Sequence, residues 1–143
     1  MPQFKLDSTS GEINIDTYEG NPTIIVFYPQ DNSKVCSNQL AVYNEALPIF
    51  RRYNANILAI STDDMTSHEK FAKQLNLRFP LLSDPEGVIG QKFGVFDTKS
   101  GRHRRAIFVL DNEQDIAFSQ IYPNHINPGA NEILQTLREL QQE

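Results

Sequence analysis

The amino-acid sequence predicts an α/β fold in which a mixed central β-sheet is flanked by helices. Two apolar, β-branched runs, at 23–28 and 56–60, have the composition of strands that are buried on both faces. Each run is followed by a helical pattern, and this alternation implies parallel strands joined by right-handed crossovers. Two further runs, at 105–110 and 116–121, lie so close in sequence that they predict an antiparallel hairpin.

The first half of the chain shows a hairpin pattern and then a long helical pattern. A short N-terminal hairpin is predicted over 4–16, around the turn Ser10-Gly11. After the first buried strand, Ser33 is a candidate N-cap for a helix with one apolar face, and Pro48 is expected to kink that helix. The residues of this face are Leu40, Tyr43, Leu47 and Phe50.

Three helices are predicted after the second buried strand. Thr66 and Glu69 match the capping box T-x-x-E and predict the start of the first of them. A short helix is expected within 85–93. The last helix is predicted to open at Asn127-Pro128, a cap residue followed by proline at the first helical position. Its buried face is expected to contain Ile133, Leu137 and Leu140.

Length and composition limit the function classes. The 143 residues fit one domain, and we expect a single domain over 1–143. A net charge of -5 gives no electrostatic basis for binding nucleic acid. No run approaches the roughly 18 apolar residues of a membrane span, and the N-terminus lacks the apolar segment of a signal peptide. We therefore expect a cytoplasmic protein that binds neither nucleic acid nor membrane.

The chain contains a single cysteine, Cys36. One thiol cannot form an internal disulfide, a C-x-x-C pair or a cysteine-based zinc site, which excludes dithiol oxidoreductases and zinc fingers. The histidines are scattered without metal-ligand spacing, so no metal site is expected. A Cys–His hydrolase would need one of them beside Cys36, and we do not favour that interpretation. The three histidines are His68, His103 and His125.

Cys36 lies where a buried strand ends and a helix begins, in the segment 28–36. Open α/β sheets build their sites at this end of the strands. In the first turn of a helix the backbone N–H groups are unpaired and the dipole is positive, which favours the nucleophilic thiolate. A free cysteine is otherwise most often a small buried hydrophobe, so a scaffold with an inert thiol stays an alternative.

Arg105 is the second candidate functional residue. Strand alternation places Arg105 on the same face as Ile107. If its strand lies antiparallel beside 23–28, Arg105 meets the loop that precedes Cys36. A guanidinium there would stabilise a thiolate and offer fixed donors to a polar substrate.

These residues resemble the peroxiredoxins, the thiol peroxidase family of thioredoxin-like fold. The family's loop motif, P-x-x-x-(T/S)-x-x-C, is matched here by Pro29, Ser33 and Cys36. The second motif, R-x-x-F-(V/L)-(I/L/V)-D, is matched from Arg105 to Asp111. The resemblance covers nearly the whole chain, and it implies the thioredoxin-like arrangement of a mixed sheet flanked by helices.

The resemblance also implies a role for each matching residue. Cys36 would attack a peroxide oxygen of hydrogen peroxide or an organic hydroperoxide and become a sulfenic acid. Ser33 would hydrogen-bond the peroxide, and Arg105 would hold both the thiolate and the peroxide oxygens. Pro29 would shield the thiolate from water. This nucleophilic chemistry needs no metal or organic cofactor.

Two departures from the family pattern bear on mechanism. Gln39 stands where the family often has a glutamate that orients the arginine, and a neutral amide can still accept a hydrogen bond. The chain has no resolving cysteine, so the resemblance points to the one-cysteine, bacterioferritin-comigratory-like branch. An external thiol would then reduce the sulfenic acid, and thioredoxin, glutaredoxin or a low-molecular-weight thiol is the expected partner. Family members are often dimers, so a homodimer is a further expectation.

One alternative of another class stays open at this point. A peroxide-sensing or redox-relay module of the same fold would also need a reactive Cys36. It would pass its oxidation to a partner protein through a mixed disulfide, without efficient turnover. Turnover with a thiol reductant separates the two hypotheses.

Overall fold

The computed structural model describes residues 1–142. The elements in chain order are β1 (Lys5–Leu6), β2 (Ile13–Asn14), a 3-10 helix (Ile15–Tyr18), β3 (Thr23–Phe27), α1 (Lys34–Arg52), β4 (Asn56–Ser61), α2 (Met65–Leu75), β5 (Leu81–Ser83), α3 (Val88–Lys92), β6 (Phe96–Asp97), β7 (Arg102–His103), β8 (Arg105–Leu110), β9 (Ile116–Tyr122) and α4 (Asn131–Gln141). None of the helices within 1–142 is long and apolar enough to cross a membrane.

Five strands form the central sheet, in the order β5-β4-β3-β8-β9. β3 is parallel to β4 and β4 to β5, whereas β8 is antiparallel to both β3 and β9. The predicted mixed sheet flanked by helices is thereby confirmed. In the register of β3 and β8, Phe27 lies opposite Ala106, so the start of β8 is beside the end of β3.

The two faces of the sheet carry separate apolar cores. On one, which we call the Cys36 face, Ile24 and Val26 of β3 and the following residue Tyr28 pack with α1, α2 and α4. On the opposite face, Ile25 and Phe27 pack with the N-terminal hairpin, the 3-10 helix and α3. The predicted apolar face of α1 is confirmed, because all four of its residues are buried on the Cys36 face.

The predicted start of α2 is wrong by a few residues. The N-cap is Asp64, whose side-chain oxygen accepts the N–H of Ser67 at 2.9 Å, and the helix begins at Met65. Thr66 and Glu69 therefore lie inside the first helical turns and do not form the capping box. A carboxylate two residues earlier reaches the free N–H groups first.

The predicted start of α4 is also wrong. The Asn127 side chain accepts the N–H of Gly129 at 3.0 Å, and Gly129 has φ of 68°. This left-handed residue ends the local turn, so the helix begins only at Asn131. Ile133 and Leu137 are buried as predicted, whereas Leu140 is only partly buried.

Candidate active site

Cys36 occupies the first turn of α1 and is fully buried. Ser33 is the N-cap, and its Oγ accepts the N–H of Cys36 at 3.1 Å. A hydroxyl that accepts one bond still has its own proton to donate. The sulfur therefore lies at a helix N-terminus, where the dipole and the unpaired N–H groups stabilise negative charge.

Arg105 reaches the same point from β8, and only 1% of its surface is exposed. Its Nη2 lies 3.3 Å from Sγ of Cys36 and donates to it. Nη1 donates to Oε1 of Gln39, as the sequence suggested for a neutral amide at that position. Nε and Nη2 also donate to the backbone carbonyl of Asn124, at 3.3 and 2.9 Å.

The acceptors that hold Arg105 are all uncharged. Gln39 Nε2 donates to Oη of Tyr43 at 2.9 Å, and Tyr43 donates to the carbonyl of Gly129 at 3.1 Å. Burial raises the pKa of Tyr43, so its hydroxyl stays protonated. Within residues 1–142 no carboxylate forms a salt bridge with Arg105. A thiolate at Cys36 would thus be the counter-ion of the buried guanidinium.

Three of the four predicted site residues are brought together, namely Cys36, Ser33 and Arg105. The antiparallel pairing of β3 with β8 is what joins them, because it places the first residue of β8 beside the loop that follows β3. Pro29 lies near the start of that loop and is partly exposed. Its shielding of the thiolate stays a prediction.

Comparison with protein families matches residues 1–119 to the AhpC/TSA family. This chain belongs to the AhpC/TSA family. The family assignment made from the two motifs is thereby confirmed.

Among related sequences, the chloroplastic Peroxiredoxin Q of Gentiana triflora is 33% identical over 145 residues, covering 98% of this chain and 64% of that protein. A Peroxiredoxin of Thermoplasma volcanium is 23% identical, covering 98% of this chain and 72% of that protein. The chain thus spans slightly less than two thirds of the plant relative. Among solved structures, Enterococcus faecalis AhpC superposes with a TM-score of 0.93 at 27% identity, covering 99% and 90% of the two chains.

Sequence reasoning missed a buried polar network beside this AhpC/TSA site. Asp31, in the loop between β3 and α1, accepts hydrogen bonds from Tyr28 Oη at 2.6 Å and Ser67 Oγ at 2.7 Å. Nδ1 of His68 lies 2.8 Å from the same carboxylate. The available signal was topological, because the loops that follow two adjacent parallel strands meet at one edge of the sheet. The carbonyl of Asn124 left no signal, since every residue has one.

The histidines do not form a dyad with Cys36. His68 pairs with Asp31, and His103 lies 3.0 Å from Asp84 on the opposite face. His125 is exposed. Within the described residues no three His, Cys, Asp or Glu side chains come together as metal ligands.

Proposed function

We propose that this chain is a thiol-dependent peroxidase that reduces hydrogen peroxide or organic hydroperoxides through Cys36. The observation that carries the proposal is the buried contact of 3.3 Å between Arg105 Nη2 and the Cys36 sulfur in the first turn of α1. Since the other partners of Arg105 are neutral, its positive charge is directed at the sulfur and at any substrate bound there. An inert thiol would need no such partner.

The first step is a displacement at oxygen. The Cys36 thiolate attacks one peroxide oxygen, the O–O bond breaks, and the leaving oxygen takes a proton to depart as water or an alcohol. Cys36 becomes a sulfenic acid. Arg105 Nη2 and the Ser33 hydroxyl donate to the oxygens as negative charge develops on them, which is preorganised electrostatic stabilisation in a dry site.

The second step restores the thiol with an external reductant, since the sequence holds no other cysteine. A thiol attacks the sulfenic acid sulfur, a mixed disulfide forms and water leaves; a second thiol then releases reduced Cys36. This one-cysteine cycle fits the bacterioferritin-comigratory-like branch. Thioredoxin, glutaredoxin or a low-molecular-weight thiol would serve as reductant, and the cytoplasmic location and the homodimer stay predictions.

Intact-mass measurement after mixing the reduced protein with a slight excess of hydrogen peroxide tests the first step. A carbon-acid trap for sulfenic acid is added to a parallel sample, and Cys36→Ser is the control. One trap molecule should add quickly to the wild type and none to Cys36→Ser. A wild-type rate no faster than that of a free thiol would refute the proposal.

Turnover tests the second step. With peroxide and a thiol reductant in excess, many peroxides should be consumed for each protein. Consumption of a single equivalent, followed by a stable mixed disulfide, would indicate the sensor or relay module in place of the enzyme.

A further inference from the structure

Asp31 is a buried anchor in the loop that leads to Cys36. It lies between Pro29 and Ser33, and its side chain is 1% exposed. Its carboxylate receives three donors, from Tyr28, Ser67 and His68, at 2.6 to 2.8 Å. Burial and the nearby Asp31 charge raise the pKa of Tyr28 well above its ordinary value, so the tyrosine stays a donor.

His68 connects this anchor to the sheet. The side chain is fully buried near the start of α2, with Nδ1 2.8 Å from Asp31 and Nε2 3.0 Å from the carbonyl of Leu82. A carboxylate and a carbonyl can only accept hydrogen bonds. An N–H at Nδ1 has the Asp31 carboxylate as its acceptor, and an N–H at Nε2 has the Leu82 carbonyl. A bond to the carboxylate is charge-assisted, the stronger kind.

The backbone of Asp31 is tied as well. Its N–H donates to the Asp63 carboxylate at 2.8 Å. The same carboxylate accepts Ser61 Oγ at 2.7 Å, and the Asp63 carbonyl accepts Ser83 Oγ at 2.6 Å. The side chain of Asp31 is thus tied to α2, and its backbone is tied to the loop between β4 and α2, which is itself bonded to β4 and β5.

The path from the anchor to the sulfur is short. Asn32 follows in the left-handed conformation, with φ of 66°, and Ser33 then caps α1 and binds the N–H of Cys36. Where Asp31 is held therefore decides where the cap and the first helical turn lie. Cys36 is fully buried, so any reactant needs some movement around it. A peroxide is small and needs only side-chain movement, whereas a thiol reductant is larger and needs this turn to open.

We propose that Asp31 and His68 form a latch that holds the first turn of α1 closed, and that the latch sets how fast an external thiol reaches oxidised Cys36. His68 is a positioning residue here, since it acts on Cys36 through Asp31. The proposal rests on the proposed function. It concerns the step in which a thiol sulfur bonds to the sulfenic acid sulfur and the oxygen leaves as water, whereas the peroxide step uses the closed form.

Two substitutions of His68 separate the latch from a merely structural role. The amide nitrogen of His68→Asn stands close to the former Nδ1 and can keep the bond to Asp31. The amide nitrogen of His68→Gln stands close to the former Nε2 and can reach only the Leu82 carbonyl. Each variant keeps one of the two contacts of the ring, and melting temperatures measured beside the rate constants show how much stability each variant loses. Ser67→Ala removes one uncharged donor from Asp31 and serves as the mildest variant.

The measurement is stopped-flow mixing with quenched intact-mass detection, which gives the rate constants for the peroxide step and for the reaction of the sulfenic acid with glutathione. Loss of the charge-assisted bond in His68→Gln should raise the rate constant of the thiol step about tenfold. The rate constant of the peroxide step should stay within about twofold of wild type, because the closed form still dominates. Ser67→Ala should raise the rate constant of the thiol step about threefold, and His68→Asn should have the rate constant of the wild type.

The outcomes separate the failure of the latch from that of the proposed function. If the thiol step is the same in His68→Gln, Ser67→Ala and wild type, or if both steps fall together in all variants, the latch is refuted. If His68→Gln does not fold, Ser67→Ala alone decides. If wild-type Cys36 forms no sulfenic acid at all, it is the proposed function that fails.

Discussion

Two buried basic side chains, Arg105 on the Cys36 face and His103 on the opposite face, have different kinds of partner. On the Cys36 face, Arg105 is held by the neutral oxygens of Gln39 and Asn124, and one of its nitrogens points at Cys36. The protein thus leaves the positive charge to be balanced by the sulfur or by a substrate.

On the opposite face, His103 is matched by a carboxylate inside the fold. Its Nε2 lies 3.0 Å from Asp84, which also accepts the N–H groups of Gly90 and Ile89 at 2.9 and 3.3 Å. The ring packs edge-on against Phe27, with an interplanar angle of 90°. The difference between Arg105 and His103 indicates that a buried cation without a carboxylate partner serves chemistry at Cys36, whereas the contact of His103 with Asp84 serves stability.

The largest effect should follow from removing the uncompensated charge. Arg105→Ala should lower the rate constant of Cys36 with hydrogen peroxide by about 10²–10³-fold, as removal of an oxyanion donor does in other enzymes. Sulfenic acid trapping followed by intact mass measures it. The matched control is Arg104→Ala, since Arg104 is exposed and one residue away. If the rate constant of Arg105→Ala falls by less than about threefold, the charge of Arg105 does not serve the peroxide step.

The second prediction concerns the opposite face. A Cβ at Gly90 would overlap the ring of His103, which Phe27 and Phe96 hold in place. Gly90→Ala should therefore reduce the free energy of unfolding by about 1–3 kcal/mol, a typical effect of overpacking, with the peroxide rate constant unchanged in the folded protein.

Chemical denaturation of a double-mutant cycle provides the control for this prediction. Adding His103→Ala to Gly90→Ala removes the overlap, so the double variant should lose less stability than the two single losses together. If the losses in free energy of unfolding of the two single variants simply add, the His103 ring is not the group that requires glycine at position 90.

The third prediction returns to the Cys36 face. Tyr43→Phe removes the acceptor of Gln39 Nε2 and the donor to Gly129, at a cost of about 1 kcal/mol in the free energy of unfolding. Arg105 keeps its contact with Oε1 of Gln39, so the peroxide rate should change by less than about threefold. Tyr53→Phe, at the partly exposed end of α1, is the control for stability. A loss of activity as large as in Arg105→Ala would place Tyr43 in the chemistry.

Sequence patterns predicted the long elements and the contact at the centre of the site. Strand order and alternation placed Arg105 beside Cys36, the loop motif named Ser33, and a departure from the family pattern drew attention to Gln39. These predictions succeed because the order of apolar and polar residue types determines both the apolar periodicity and the strand register.

The remaining features depend on contacts that no local pattern encodes. β5 has three residues, and β6 and β7 have two each. An alternation of apolar and polar residues cannot be recognised in strands this short. Competition between neighbouring caps decides where a helix begins, and Asp64 prevailed over Thr66. The pair Asp31–His68 spans 37 residues, so only the folded sheet shows that the two side chains meet.

The smallest effect on stability should come from protonating the Asp84 carboxylate on the opposite face. Burial alone would raise the pKa of Asp84, but the contact with His103 and the N–H groups of Gly90 and Ile89 lower it below its ordinary value of 3.8. A carboxyl whose pKa is lowered by folding stabilises the protein above 3.8, and that contribution is lost as the pH falls below it. Stability at neutral pH should therefore drop in Asp84→Asn, and the loss of stability on acidification from pH 5 to pH 2, a range of about three units around that value, should become shallower.

Denaturation midpoints measured across this range, with Asp97→Asn beside Asp84→Asn, give the decisive contrast. The pKa of Asp97 is also lowered, first by the N–H of Lys99, yet its carboxylate is on the surface, where solvent screens its charge. Asp97→Asn should leave the loss of stability on acidification nearly unchanged. Equal slopes in the two variants would mean that the buried carboxylate of Asp84, with its contacts, contributes no more than a surface carboxylate. The contrast between the two faces would then rest on Arg105 alone.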